Sequence, residues 1–523
     1  MKLGRRKLLH ASLGLSQVAL LSRLGAPSIA SAQGMGGPTR LLTIFLPGGW
    51  MSPFALVPWS ASEVATVLPA PLVSLGEPIY FSDAQVRNLD GSADPGRIRV
   101  PALWDEAELM AGRPDRRNGT SPHGWSWRHH RLHENAMVVH GVDQGTVAHV
   151  GGQMSALCGV ASSELKAPTL NALVAHHLFD RFPDRPIPSV WIGGPTPGSL
   201  DLRSEATPAH ITSQADVDFL LSDRPAAPWA GLRARDVNST VNAVKFDGTS
   251  AGTGFTLNPL EAHTLKRMRE LRGSLNPSSE AVVQQLHDSL VGVSKLLARD
   301  VAATVQNTPG LQLGAPFWAP GGGPFALNLG AAFQDSGNNW AAQFNLALKL
   351  LKSDVVSSVA VSALGAGNWS FDNGHSEGHL RSFIQARGIF EILGRLLGEM
   401  KSTPRPGGKT LLDETLVVVL SDFSRTLPKA SFSSDHWASN TVIFAGGGIT
   451  PNRALGGYLV PNRPAADVSG HDGASVGIRD ELQTVTRVPR SADVITTALA
   501  ILGITGHRIP GGNGEILGVR AGT

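Results

Sequence analysis

The chain has 523 residues, with 45 Lys and Arg against 42 Asp and Glu, and a single cysteine, Cys158. One cysteine excludes an internal disulfide and any cluster of thiolate metal ligands, and reads best as a small buried apolar residue. The length is ample for a large core, whether one big α/β domain with insertions or two domains.

Residues 1–32, MKLGRRKLLHASLGLSQVALLSRLGAPSIASA, run from a basic start with Arg5 and Arg6 through an apolar stretch to small residues ending at Ala32. That order is the pattern of a signal peptide. The apolar part, Leu13 to Leu21, is shorter than the roughly 20 residues that span a bilayer. The arginine pair suits twin-arginine export, so cleavage after Ala32 and a periplasmic or secreted protein are predicted. The leader holds Lys2, Arg5, Arg6, Lys7 and Arg23 and no acid, so residues 33–523 keep 40 basic against 42 acidic residues. The sequence pI of 9.1 is therefore partly a property of the leader. The remainder has no clustered basic footprint for a nucleic-acid partner. No later apolar run suits a membrane helix, so no integral membrane segment is expected after signal removal.

Next, RLLTIFLPGGW reads as a short buried strand, Leu41 to Leu46, stopped by Pro47 and two glycines. Residues 51–118 are rich in Pro, Gly, Ser and Asp without lasting periodicity, a loop-rich insert. AMVVHGV, Ala136 to Val142, is a second strand. A helix in APTLNALVAHHLFDRF and a strand in PSVWIGG follow, and strand, helix, strand signals a parallel sheet. Residues 207–310 carry apolar residues at helical spacing and read as a mostly helical insertion. The alternation then resumes: helix Asn338 to Leu351, strand Val355 to Leu364, helix Leu380 to Met400, strands Thr415 to Leu420 and Thr441 to Ala445, and helix Ala492 to Leu502. Strands of Val, Leu and Ile without polar alternation fit a sheet covered by helices on both faces. The fold class predicted is α/β, a largely parallel central sheet flanked by helices.

Ligands of open α/β sheets bind beyond the carboxyl ends of the strands. There the sequence places GAGNWSFDNGHSEGH, with Asp372, His375 and His379, and SDFSRTLPKASFSSDHW, with Asp422, Arg425, Asp435 and His436. Carboxylates with imidazoles can ligate a divalent ion such as zinc or manganese, or Asp372 can cap a helix with the histidines exposed. A guanidinium beside two carboxylates and an imidazole could hold a tetrahedral anion, or simply tie a loop down by ion pairing. His149, in TVAHVGGQMSALCG, follows a strand and precedes a small-residue helix whose N-terminus could attract an anion. The histidines of RHHRLHENAMVVHG read as the solvated face of a polar helix, and His471 with Asp472 as a turn. Neither a phosphate-binding GxxxxGK[ST] loop nor a GxSxG elbow is present.

In LLTIFLPGGW, HVGGQMSALCG, FDNGH, TLVVVLSDFSRT and SDHWASNTVIFAGGGI, taken in this order behind a twin-arginine start, the chain resembles exported proteins with the domain of unknown function 1501. These are related to sulfatases and the alkaline phosphatase superfamily. The resemblance implies a sulfatase-like α/β fold. It also implies metal ligation by Asp372, His375, Asp422, Asp435 and His436, with Arg425 and His149 in catalytic positions. Two departures stand out: Trp50, Met51 and Phe54 occupy the stretch where the family has Ser and Asp, and Gly374 adds a residue between Asp372 and His375. The function expected is an exported, metal-dependent hydrolase of sulfate or phosphate esters, using zinc, manganese or calcium on a small-molecule or glycan ester. The alternative is a noncatalytic periplasmic or cell-surface binding or assembly protein on the same fold.

Overall fold

The computed structural model describes residues 37–50, 56, 73–74, 77–78, 86–94, 96–101, 125–161, 167–179, 181–182, 185–193, 208–211, 301–311, 330–363, 378–425, 436–456, 488–507 and 509–522. The leader, Asp372, His375, Asp435, His471 and Asp472 lie outside the described residues. Eight strands form one sheet: β1 Arg40–Leu46, β2 Ala136–Asp143, β3 Ile187–Gly193, β4 Ala209–Ile211, β5 Val356–Ser362, β6 Thr415–Ser421, β7 Ser439–Gly446 and β8 Arg453–Leu455. Their spatial order is β8-β2-β7-β6-β1-β5-β3-β4. Only β7 runs against the others, pairing antiparallel with both β6 and β2.

The seven residues of β1, of β5 and of β6 are all buried, which is why these strands lack polar alternation. One face, with Leu42, Ile44, Val359, Val361, Val417 and Val419, packs on α3 (Gly330–Lys352) and α4 (Gly378–Ser402). The other, with Leu41, Phe45, Leu416 and Val418, packs on α1 (His149–Cys158), α2 (Leu170–Leu178) and α5 (Ser491–Ile501). The result is a mostly parallel sheet between two helical layers, with cores on both sides. Of the expected helical insertion, Ala209–Ile211 forms the edge strand β4 and Val301–Asn307 a short helix. Among the described residues no helix is long and apolar enough to cross a membrane. Cys158 is buried, which pushes its thiol pKa up to about 12.

The parallel strands begin at an ion cluster. Arg40, 2 % exposed, donates to Glu414 at 2.6 Å and pairs with Asp354, which also accepts from Arg185 at 3.1 Å. Burial and the neighbouring Arg40 lower the Arg185 pKa to about 10. The cluster joins the start of β1, the approach to β3, the end of α3 and the turn before β6, so it fixes the sheet at the end opposite to the strand exits.

His130, His133 and His507 are held below the ordinary imidazole pKa, in each case chiefly by burial. As the pH falls through about 6.5, the unfolded chain therefore takes up protons before the folded one. Stability is full above that pH and is lost progressively towards the lower folded-state values. We expect the urea midpoint to be lower at about pH 5.5 than at about pH 7.5; a midpoint that is flat or rises over this range would contradict the assignment.

Candidate functional site

Neighbouring parallel strands β1 and β6 end level with each other, Leu46 beside Ser421. Beyond β1 the chain turns through Gly48 and Gly49 at φ of 102° and 78°, left-handed values that glycine adopts without strain. That turn aims two peptide N–H groups at the Asp422 carboxylate. Oδ1 accepts from Gly49 N at 2.7 Å and from Gly48 N at 3.1 Å, and lies 3.0 Å from the Ser421 hydroxyl, which also reaches the Leu46 carbonyl at 2.7 Å. Oδ2 lies 2.6 Å from His149 Nδ1 and 3.2 Å from Gly48 N. Asp422 is fully buried, whereas the His149 side chain is about one third exposed, at 33 %.

The Gly48 and Gly49 N–H groups can only donate, so both oxygens of Asp422 meet them as acceptors. The hydrogen between it and His149 is therefore placed on Nδ1, which makes Nε2 the basic nitrogen whenever the ring is neutral. His149 is the first residue of α1, so its backbone is set by the docking of that helix. The docking is close: a methyl group built on Gly152 would stand 2.5 Å from the Asp422 carbonyl oxygen. Gly152→Ala should push α1 off the strand end, separating His149 from Asp422 and costing about 1–3 kcal/mol. Thermal denaturation and the His149 Nδ1–H proton resonance would together check this; an unchanged resonance would refute the coupling.

His436 stands across from His149, ring centroids 4.4 Å apart and nearly perpendicular. Its Nδ1 lies 2.7 Å from the Val147 carbonyl, which can only accept, so here too Nδ1 carries the hydrogen. Through this bond, and through Gln144 N donating to Ala438 O at 2.8 Å, the segment 436–438 fixes the loop that leads into His149. The Phe423 ring packs against both imidazoles, at 4.7 Å from His149 and 4.1 Å from His436.

Arg425 is buried to 0 % exposure and donates to Gly49 O at 3.1 Å and to Gly48 O at 2.5 Å. It clamps, from the carbonyl side, the same turn whose N–H groups hold Asp422. Trp50 is equally buried. It stacks on Phe390 at 5.2 Å, donates from Nε1 to Asn440 at 2.9 Å, and Asn440 in turn donates to Ser421 O at 2.7 Å. Where the resemblance leads one to look for an acidic first-strand exit, the chain turns inward and Trp50 enters the core.

The structure thus brings together four of the residues singled out from the sequence, His149, Asp422, Arg425 and His436, while Asp372, His375 and Asp435 lie outside the described residues. It adds Gly48, Gly49, Ser421, Phe423, Asn440 and Gly152. Only the glycine pair after β1 carries a signal in the sequence, as a tight turn at a strand exit. Among the described residues no group of three His, Cys, Asp or Glu side chains is placed to hold a metal ion. No family model matches the chain, and no curated protein matches it.

Proposed function

We propose that this is an exported hydrolase of sulfate or phosphate esters, with His149 as general base and Asp422 as the carboxylate that orients it. The observation that carries this reading is the 2.6 Å contact between Nδ1 of a partly exposed imidazole and a fully buried carboxylate. In that arrangement Nε2 takes a proton from a water or hydroxyl as its oxygen attacks the sulfur or phosphorus, and the carboxylate stabilises the imidazolium that forms. The proton then goes to the departing ester oxygen. Arg425, engaged by the Gly48 and Gly49 carbonyls, positions Asp422 rather than touching the ester. The choice of sulfate or phosphate esters rests on the resemblance of TLVVVLSDFSRT and SDHWASNTVIF to sulfatase relatives.

The burial of Arg425 favours a second reading, a noncatalytic binding or assembly protein that keeps the sheet and its polar strand ends as structure. Hydrolysis of 4-nitrophenyl sulfate and 4-nitrophenyl phosphate by purified protein, with elemental analysis of the same sample, separates the two. We expect turnover by the wild type and a loss of about 10²- to 10⁴-fold in kcat for His149→Ala. Absence of turnover before and after addition of zinc, manganese or calcium would leave the binding reading.

A further inference from the structure

On the sheet face covered by α2, the three strands β1, β5 and β3 carry hydroxyls where their neighbours carry Leu, Phe and Trp. Ser358 of β5 sits beside Ser189 of β3 in the parallel register, and Thr43 of β1 lies one residue pair further along, beside Ala360. Above them Asn171, on the first turn of α2, donates from Nδ2 to Ser358 Oγ at 2.8 Å. All four residues are buried, at 0 to 1 % exposure. Yet Asn171 Oδ1, Ser189 Oγ and Thr43 Oγ1 have no hydrogen-bond partner among the protein groups described. Turning the Asn171 amide over exchanges its two atoms and leaves one of them unmatched all the same.

Buried polar atoms are almost always matched, and those the protein does not match itself are matched by internal water. We propose that an internal water molecule is bound between α2 and the sheet, donating to Asn171 Oδ1 and hydrogen-bonded to the Ser189 hydroxyl. The chemistry selects water over an ion. Asn171, Ser189, Ser358 and Thr43 are uncharged, so an ion would enter without a counter-charge, at a prohibitive desolvation cost. The site also has the two or more polar partners that an ordered internal water requires. On this face β3 and β5 present the small residues Ser189, Ser358 and Ala360 beside Trp191. The helix α2 is therefore docked partly through a bound solvent molecule, and that molecule exchanges only when α2 lifts.

Two measurements test this. A high-resolution crystal structure of the full chain is expected to show an ordered water within hydrogen-bonding distance of both Asn171 and Ser189. A dry gap, or Ser189 rotated onto a carbonyl of its own strand, would overturn the proposal. Ser189→Ala distinguishes the same alternatives in solution. If the hydroxyl were simply unmatched, its removal would relieve a desolvation penalty and raise the denaturation midpoint. Because the proposal makes it a partner of the bound water, the midpoint is expected to fall, and a rise or no change counts against it.

Discussion

Asp422→Asn is expected to lower kcat on an aryl ester by about 10⁴-fold while leaving the protein folded and KM little changed. The reason is a tautomer. Asparagine has the shape of aspartate, and the Gly48 and Gly49 N–H groups, at 3.1 and 2.7 Å from Oδ1, will select its carbonyl oxygen. The amide NH2 then faces His149 Nδ1 in place of an acceptor. Nδ1 must become the acceptor, the ring hydrogen moves to Nε2, and the base loses its lone pair where the substrate proton is taken up. Imidazole nitrogen shifts of His149 would report the exchanged tautomer without reference to activity. If Asp422→Asn turned over ester within a few-fold of wild type, His149 would not be the base. If the tautomer exchanged but neither protein showed turnover, the geometry would stand and the hydrolase reading would fall.

The largest loss of stability is expected from Asp493→Ala, about 3 kcal/mol. Asp493 is fully buried in the first turn of α5. One carboxylate oxygen accepts from Arg490 N at 3.0 Å, closing the start of the helix. The other accepts from Asn513 N and from Gly514 N, the latter at 3.0 Å. Removing it takes this acceptor from three peptide N–H groups, two of them in the segment that returns over α5. One turn further along α5, Thr497 Oγ1 accepts from Ile516 N at 2.9 Å. Urea denaturation would measure the loss, and proteolysis should cut the variant first within 503–522. An unshifted midpoint would show that this carboxylate is replaceable by water.

Much of the fold was legible because burial on both faces leaves an unmistakable mark. The predicted strands at Leu41, Ala136, Pro188, Val355 and Thr415 all appear, within a residue or two at most ends. The helix expected from Asn338 begins earlier, at Gly330, because its first turns carry the polar run QDSGNN, in which apolar spacing gives no signal. The direction of β7 was not read from the sequence, since Thr441 to Ala445 looks the same run either way. Direction is set by the connection: Ser424–Arg425 pairs antiparallel with His436–Trp437, returning the chain as a hairpin does.

The site was legible in its side chains and not in its backbone. Asp422 and His149 could be picked out as polar residues at strand exits, but their partnership spans 273 positions and depends on Gly152 letting α1 close against the strand end. The main partners of Asp422 are peptide N–H groups, which every residue possesses and no composition reveals. Arg425 reads from the sequence either as a ligand for a tetrahedral anion or as a tie for its loop; it is buried and donates to the Gly48 and Gly49 carbonyls, backbone groups that no side-chain pattern shows.

The small ladder that joins Ser424–Arg425 to His436–Trp437 has a consequence for mutagenesis of the site. It ties the neighbourhoods of Asp422 and His436 together by main-chain hydrogen bonds, and exchanging either side chain leaves those bonds in place.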